Sequence, residues 1–113
     1  MTEIRITDES GGMKGSKDER YDLVPIEPLR ELAIHYGKGA VKYEPRNWEK
    51  GFKWSLSYAA LMRHLQAWYG GESYDQETGS HHLTAVAWHA FALMWFEIKG
   101  VGTDDRPKHV NWG

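Results

Sequence analysis

SHHLTAVAWHAFALMWFEIKG, residues 80–100, decides the fold. Leu83, Val86, Ala87, Ala90, Phe91, Met94 and Trp95 recur at helical spacing, Ser80 stands where a helix can be capped, and Gly100 follows Lys99 as a terminator. These apolar positions cover much of the circumference, so the helix is expected to be buried on more than one side. Upstream, Ser55 or Ser57 caps a second helix that carries Leu61, Leu65 and Trp68 on one face and stops at Gly70-Gly71. A first helix starts near Glu27, with Pro28 in its opening turn, and Leu29, Leu32, Ala33 and Tyr36 give its stripe. Gly37 is expected to end it after about ten residues.

Between these helices lie two informative loops. GKGAVKYEPRNWEKGFKW, 37–54, mixes glycine, proline and aromatic residues with cations and reads as a specificity loop with at most a helical turn at Ala40 to Tyr43. GESYDQETG, Gly71 to Gly79, is dense in acid. Residues 1–24 alternate briefly, enough to expect a short strand at 3–7, and then pass into SGGMKGSKDERYDL, which has no helical or strand period. The expected architecture is therefore all-α: a small bundle of about three main helices completed by oligomerisation, with an irregular N-terminal arm. Residues 1–24 form that flexible or ligand-ordered arm, 25–100 the helical catalytic domain, and 101–113 a polar tail that turns at Gly102 and Pro107.

The 113 residues, 41% hydrophobic and 27% charged, suit one domain with a modest core. Fourteen basic against sixteen acidic residues leave a net charge of −2, which argues against a nucleic-acid polymer as partner. A short polyanion held through metal ions fits that balance. Without cysteine there are no disulfides or thiolate metal sites. No run is long and apolar enough to span a membrane, and Glu3, Arg5, Asp8 and Glu9 are unlike a signal peptide. The expectation is a cytoplasmic homo-oligomer, dimer or tetramer, with no membrane partner.

Glu72, Asp75 and Glu77 place three carboxylates within six residues, followed by His81 and His82. Hard cations such as Mg²⁺ and Mn²⁺ take oxygen ligands, and carboxylates this closely spaced can converge. The same run also suits a solvated loop that caps the third helix. Of the six histidines, at 35, 64, 81, 82, 89 and 109, His82 and His89 share a helical face, and His64 beside Arg63 is placed to meet the same cleft. Each is equally suited to a buried structural role. There is no HExxH and no GxxxxGK[ST]. Lys14, Lys17 and Arg20 in the glycine-rich arm suit phosphates, or a plain charged terminus. Lys42, Tyr43, Arg46, Asn47 and Trp48 combine phosphate-type cations, an amide that can read a base edge, and aromatic faces; Trp48 and Trp54 also suit core anchors.

Taken in order, GGMKGSKDERYDLVPIEPLRELA, GAVKYEPRNW and LMRHLQAWYGGESYDQETGSHHL resemble the phage and bacterial dATP/dGTP diphosphohydrolases, within the all-α MazG-like nucleoside triphosphate pyrophosphohydrolases, and most of all the MazZ branch of phages whose DNA carries 2-aminoadenine. The resemblance covers roughly residues 11–96. It implies hydrolysis of a purine (deoxy)nucleoside triphosphate between the α and β phosphates with two or three Mg²⁺ or Mn²⁺ ions, turning dGTP, and also dATP or GTP, into monophosphate and pyrophosphate in the host cytoplasm. It further implies Glu72 and Asp75 as an ExxD metal pair, Glu77 as next ligand or base, Lys17, Arg20, Lys42 and Arg46 on the phosphates, and Asn47 and Trp48 bordering the base. The residues' own chemistry adds His82 as a further metal ligand and Lys14, Tyr43, Arg63 and His64 as substrate contacts. The EExxE pattern of MazG-like proteins is absent, and Ala85 and His89 stand where histidine and asparagine are expected.

The expected chemistry is in-line attack on the α-phosphorus by a metal-activated water, a carboxylate taking the proton. Two rivals accompany it: an HD-type phosphohydrolase built on His64, Asp75, His81 and His82, and a non-catalytic helical module that binds nucleotide or a partner helix.

Overall fold

In the computed structural model, which describes residues 4–108, the first helix does not stop at Gly37. It runs as α1 over Ile26–Tyr43, straight through Gly37 and Gly39. Glycine has no steric objection to a helix; it only adds backbone entropy to be lost, about 1 kcal/mol relative to alanine. Tertiary contacts on the following turn offset that. Lys38 Nζ donates to Thr78 O at 3.0 Å and to Ser80 Oγ at 3.1 Å, and the Tyr36 ring lies 6.0 Å from those of Trp48 and Trp88. Gly37 is exposed, and a methyl added there meets nothing within 4 Å. Gly37→Ala is accordingly expected to stabilise the protein by about 0.5–1 kcal/mol, read as a higher midpoint in urea.

A short 3₁₀ turn at Asn47–Lys50 leads into α2, Trp54–Tyr69, and an acidic loop leads from there into α3, His82–Lys99. Both expected serine caps are corrected. The residue before α2 is Lys53, which offers no side-chain cap; Asp105 reaches across from the tail and accepts from the Ser55 N–H at 2.9 Å and from its hydroxyl. His81 caps α3, its Nδ1 accepting from the Leu83 N–H at 3.0 Å, while Ser80 serves His35 and Lys38 instead.

The central element is α3, which packs against both α1 and α2. Ala85, Ala92 and Phe96 on its inner side are buried, with Leu32 of α1. Phe91, Met94 and Ile98 lie on the opposite side, 54%, 63% and 71% exposed, so one chain buries only half of this helix.

Beyond α3 the backbone meets the segment leading into α2, where Lys53 and Thr103 form an isolated parallel bridge. Thr103 N–H donates to Phe52 O, Trp54 N–H to Thr103 O, and Trp54 Nε1 to Val101 O at 3.0 Å. Trp54 is thus an anchor of the fold, with Arg106 stacked 4.9 Å from its ring.

The arm holds the short strand expected at 3–7, as Ile4–Thr7, and a partner strand that its composition hid. Ile4–Thr7 (β1) pairs antiparallel with Met13–Ser16 (β2), Ile6 opposite Lys14, inside the stretch expected to be irregular. Its turn is local chemistry: Asp8 accepts from the Ser10 N–H and hydroxyl, and Gly11 takes a φ of 89°. A two-stranded ribbon has no core of its own, and Ile6 and Met13 remain exposed.

Candidate functional site

A cavity of about 1160 Å³ opens between α1 and α2 and is floored by α3. Small residues make the room: Gly39 and Ala40 on α1, Ala60 and Ala67 on α2, Ala85 on α3. The walls carry four cations, Lys38, Lys42, Arg46 and Arg63, and four histidines, His35, His64, His82 and His89. Asp75 and Glu77 stand at the α3 N-terminus, and Tyr36, Trp48 and Trp88 form an aromatic wall.

Most of the residues expected from sequence meet here. Lys42, Tyr43, Arg46, Asn47, Trp48, Arg63, His64, Asp75, Glu77 and His82 all line the cavity. Lys14, Lys17 and Arg20 do not. Lys14 donates to its neighbour Gly15 O, and Arg20 forms a two-pronged pair with Asp22 at 2.9 and 2.8 Å. Glu72 sits behind the wall rather than in it. His81 is occupied as the α3 cap and meets the Tyr74 ring edge-on, which removes it from an HD-type arrangement. His109 lies outside the described residues.

Three residues that sequence reasoning missed are Tyr36, Lys38 and Trp88. The signal was present: His35, Lys38 and Lys42 are spaced three and four apart, one helical face, once the helix is allowed through its glycines.

The histidines form an ordered chain. Glu72 Oε1 lies 2.6 Å from His82 Nε2, and His82 Nδ1 lies 2.9 Å from His64 Nδ1. A carboxylate only accepts, so His82 donates through Nε2; in the neutral ring its Nδ1 then accepts from His64 Nδ1–H. That leaves the lone pair of His64 on Nε2. Among the described residues no buried side-chain nitrogen lacks a partner, so this atom, unbonded within the chain, is open to the cavity. Burial lowers the His64 pKa, with His82 and Arg63 adding to the shift and Asp75 opposing it, so the ring is neutral near pH 7. The arrangement presents a neutral base whose orientation is fixed from behind by a carboxylate.

Asp75 serves the acidic loop first. Its carboxylate accepts from the Glu77 N–H at 3.2 Å and the Thr78 hydroxyl at 3.0 Å, and its own N–H donates to Ser80 O. Burial opposes the charge, but these hydrogen bonds, helped by His64 and His82, hold its pKa below the usual carboxylate range. The donor set proposed for metal does not form a resident cage as folded. Both His82 nitrogens are engaged, Glu72 faces His82, and no group of three or more His, Asp or Glu among the described residues is gathered to hold an ion.

His89 has its pKa lowered to about 4 by burial, then by His64, His35 and Arg63. The unfolded ring takes up its proton near 6.5 and the folded ring near 4, so stability is complete above about pH 6.5 and is lost as pH falls toward 4. With solvent screening of this part-buried ring the loss is about 1–2 kcal/mol, checked by urea midpoints at pH 7 and 4.5.

A family model described as dATP/dGTP diphosphohydrolase, N-terminal, matches residues 8–106. The chain belongs to this family. The cavity therefore lies in a nucleotide diphosphohydrolase domain, and the match spans every cavity-lining residue. No curated protein and no solved structure matches.

Proposed function

We propose that this diphosphohydrolase cleaves purine (deoxy)nucleoside triphosphates, dGTP and also dATP or GTP, between the α and β phosphates to give the monophosphate and pyrophosphate. The observation that supports it most is one cavity with two kinds of wall. Lys38, Lys42, Arg46 and Arg63 suit a chain of phosphates, and the Tyr36, Trp48 and Trp88 rings suit a purine face.

In this reading water attacks the α-phosphorus, its proton passes to His64 Nε2, and the bond to the bridging oxygen breaks to release pyrophosphate. Glu72, through His82, holds the His64 ring in place and stabilises the charge it gains. Mg²⁺ or Mn²⁺ belongs to the reading as the chelate of the incoming triphosphate, whose charge it partly neutralises. The dGMP product fits the role that the MazZ-like resemblance suggests, a supply of precursor for 2-aminoadenine DNA.

The test is incubation with each (d)NTP and Mn²⁺ and separation of products by chromatography. Monophosphate and pyrophosphate are expected, with no turnover in EDTA. Release of inorganic phosphate or triphosphate instead would overturn the assignment.

The exposed Phe91, Met94 and Ile98 stripe supports a homo-oligomer, dimer or tetramer, since covering each such side chain is worth about 1.5–3 kcal/mol. Light scattering is expected to show more than one chain per particle, and Met94→Asp to reduce it.

A further inference from the structure

Ser57 and His89 form a contact that the reaction above does not use. Ser57 is 1% exposed on α2, and its Oγ lies 2.7 Å from His89 Nδ1 on α3. Among the described residues this hydroxyl has no other hydrogen-bond partner. A ring N–H pointed at it would leave the buried O–H proton with nothing to bond, so Ser57 donates and His89 Nδ1 accepts. The imidazole proton therefore sits on Nε2. That nitrogen has no partner among the described residues, and since no buried side-chain nitrogen there is orphaned, it opens to the cavity that His89 lines.

The contact repeats the pattern at His64. Ser57 and His64 are seven residues apart on α2, and His82 and His89 are seven apart on α3, so the Ser57 to His89 and His64 to His82 contacts are two rungs of one antiparallel helix pair. His64 and His89 each have Nδ1 engaged between the helices and Nε2 left to the cavity. The two rings are stacked, their planes 26° apart and their centroids separated by 6.1 Å. They differ in one proton: His64 Nε2 carries a lone pair, His89 Nε2 a hydrogen. A base and a donor stand side by side.

We propose that His89, its tautomer set by Ser57, donates from Nε2 to a non-bridging oxygen of the α-phosphate while His64 takes the proton of the water that attacks the same phosphorus. The spacing suits both contacts. Attacking oxygen and phosphorus approach to about 3–3.5 Å before reaction, and each is reached from a ring nitrogen through a hydrogen bond of about 2.8 Å, so neighbouring rings at the observed separation serve both without moving. His89 keeps its proton throughout: the bond that forms joins water oxygen to phosphorus, the bond that breaks runs to the bridging oxygen, and the water proton goes to His64. The phosphoryl group holds its charge on the non-bridging oxygens, where a preorganised N–H stabilises it. A neutral donor is the better form here, because a cation stacked on His64 would oppose the positive charge that His64 gains. Burial, then His64, His35 and Arg63, lower the His89 pKa to about 4, which keeps the ring neutral near pH 7. His89 is thus a catalytic residue that touches the α-phosphate, and Ser57 a positioning residue that acts through it. The α-phosphate is common to all the proposed substrates, so neither residue reads the base.

This inference rests on the nucleotide reading of the cavity, and its test begins with a readout that needs no turnover. Nitrogen NMR of the histidine rings is recorded on the whole protein, alone and with Mg²⁺ and the α,β-methylene analogues of dGTP and dATP, whose binding is followed separately by tryptophan fluorescence. The Nε2–H tautomer is expected at His89 in the free protein, with a further shift of Nε2 when either analogue binds. Ser57→Ala is expected to show both tautomers. In steady state, His89→Phe is expected to lower kcat by about 10²- to 10³-fold, the cost of one oxyanion donor, equally for dGTP and dATP and with KM within about threefold of wild type. His89→Gln, whose amide can donate, recovers about tenfold of that loss. An Nδ1–H tautomer in the wild type, an Nε2 signal that stays put while fluorescence shows the analogue bound, near-wild-type kcat in His89→Phe, or unequal losses for the two nucleotides would overturn the proposal. The wild-type spectra decide even where His89→Phe does not fold. Failure of both analogues to bind would overturn the nucleotide reading and this inference with it. Binding that shifts Nε2 without pyrophosphate release from dGTP or dATP would leave His89 as the α-phosphate donor and refute only the hydrolytic reading.

Discussion

His64→Gln is expected to lower kcat for dGTP by about 10²- to 10⁴-fold with the far-ultraviolet dichroism unchanged, the range that removal of a positioned general base produces. The size follows from the geometry. His64 Nε2 is the lone pair that the Glu72, His82 and His64 chain leaves facing the cavity, and an amide cannot take the proton of an attacking water. The substitution leaves the cationic wall alone, so KM should move far less than kcat. Glu72→Gln separates orientation from charge: glutamine still accepts from His82 Nε2–H, but the carboxylate that stabilises a charged His64 is gone. A milder drop than in His64→Gln is therefore expected. Near-wild-type kcat in His64→Gln would return the role of base to the carboxylates at Asp75 and Glu77.

Gly102→Ala is expected to produce the largest stability loss, about 3 kcal/mol or more, seen as a urea midpoint far below wild type. Gly102 adopts a φ of 78°, and a Cβ there would lie 2.5 Å from Phe52 O, a backbone atom that cannot swing away as a side-chain end can. Relief requires parting the backbone contact that ties the end of α3 to the start of α2. That contact also seats Phe52, whose ring meets Phe96 at 5.1 Å and which lines the cavity. Activity at low temperature should fall along with stability. Gly37→Ala is the matching control: the same chemical change on an exposed helical turn is expected to act in the opposite direction, because nothing approaches that position and φ is not positive.

Composition and periodicity determined a good deal by themselves. The 80–100 stretch is a helix because its apolar spacing leaves no other way to bury it, and α2 follows from Leu61, Leu65 and Trp68 in the same way. The 42–48 segment and the Arg63-His64 pair were legible as candidates for one place because cations, an amide and aromatics so close together have a shared use, and the structure brings them to one cavity. Where helix ends fell was a different matter. Gly37 reads as a stop on local propensity, yet a penalty near 1 kcal/mol is small beside the contacts that Tyr36 and Lys38 make across the fold. Serine likewise reads as a cap, but Ser57 and Ser80 are more use to buried histidines than to helix ends, which Asp105 and His81 cap from positions no local rule indicates. The roles of the acids and histidines belonged wholly to the tertiary structure. Spacing put Glu72, Asp75 and Glu77 close in the chain, but which carboxylate backs a histidine and which shapes a loop depends on partners 3 to 10 residues away in sequence, set by the packing of α2 on α3. A residue's type limits what it can donate or accept; only the fold decides which of its atoms is left free to do so.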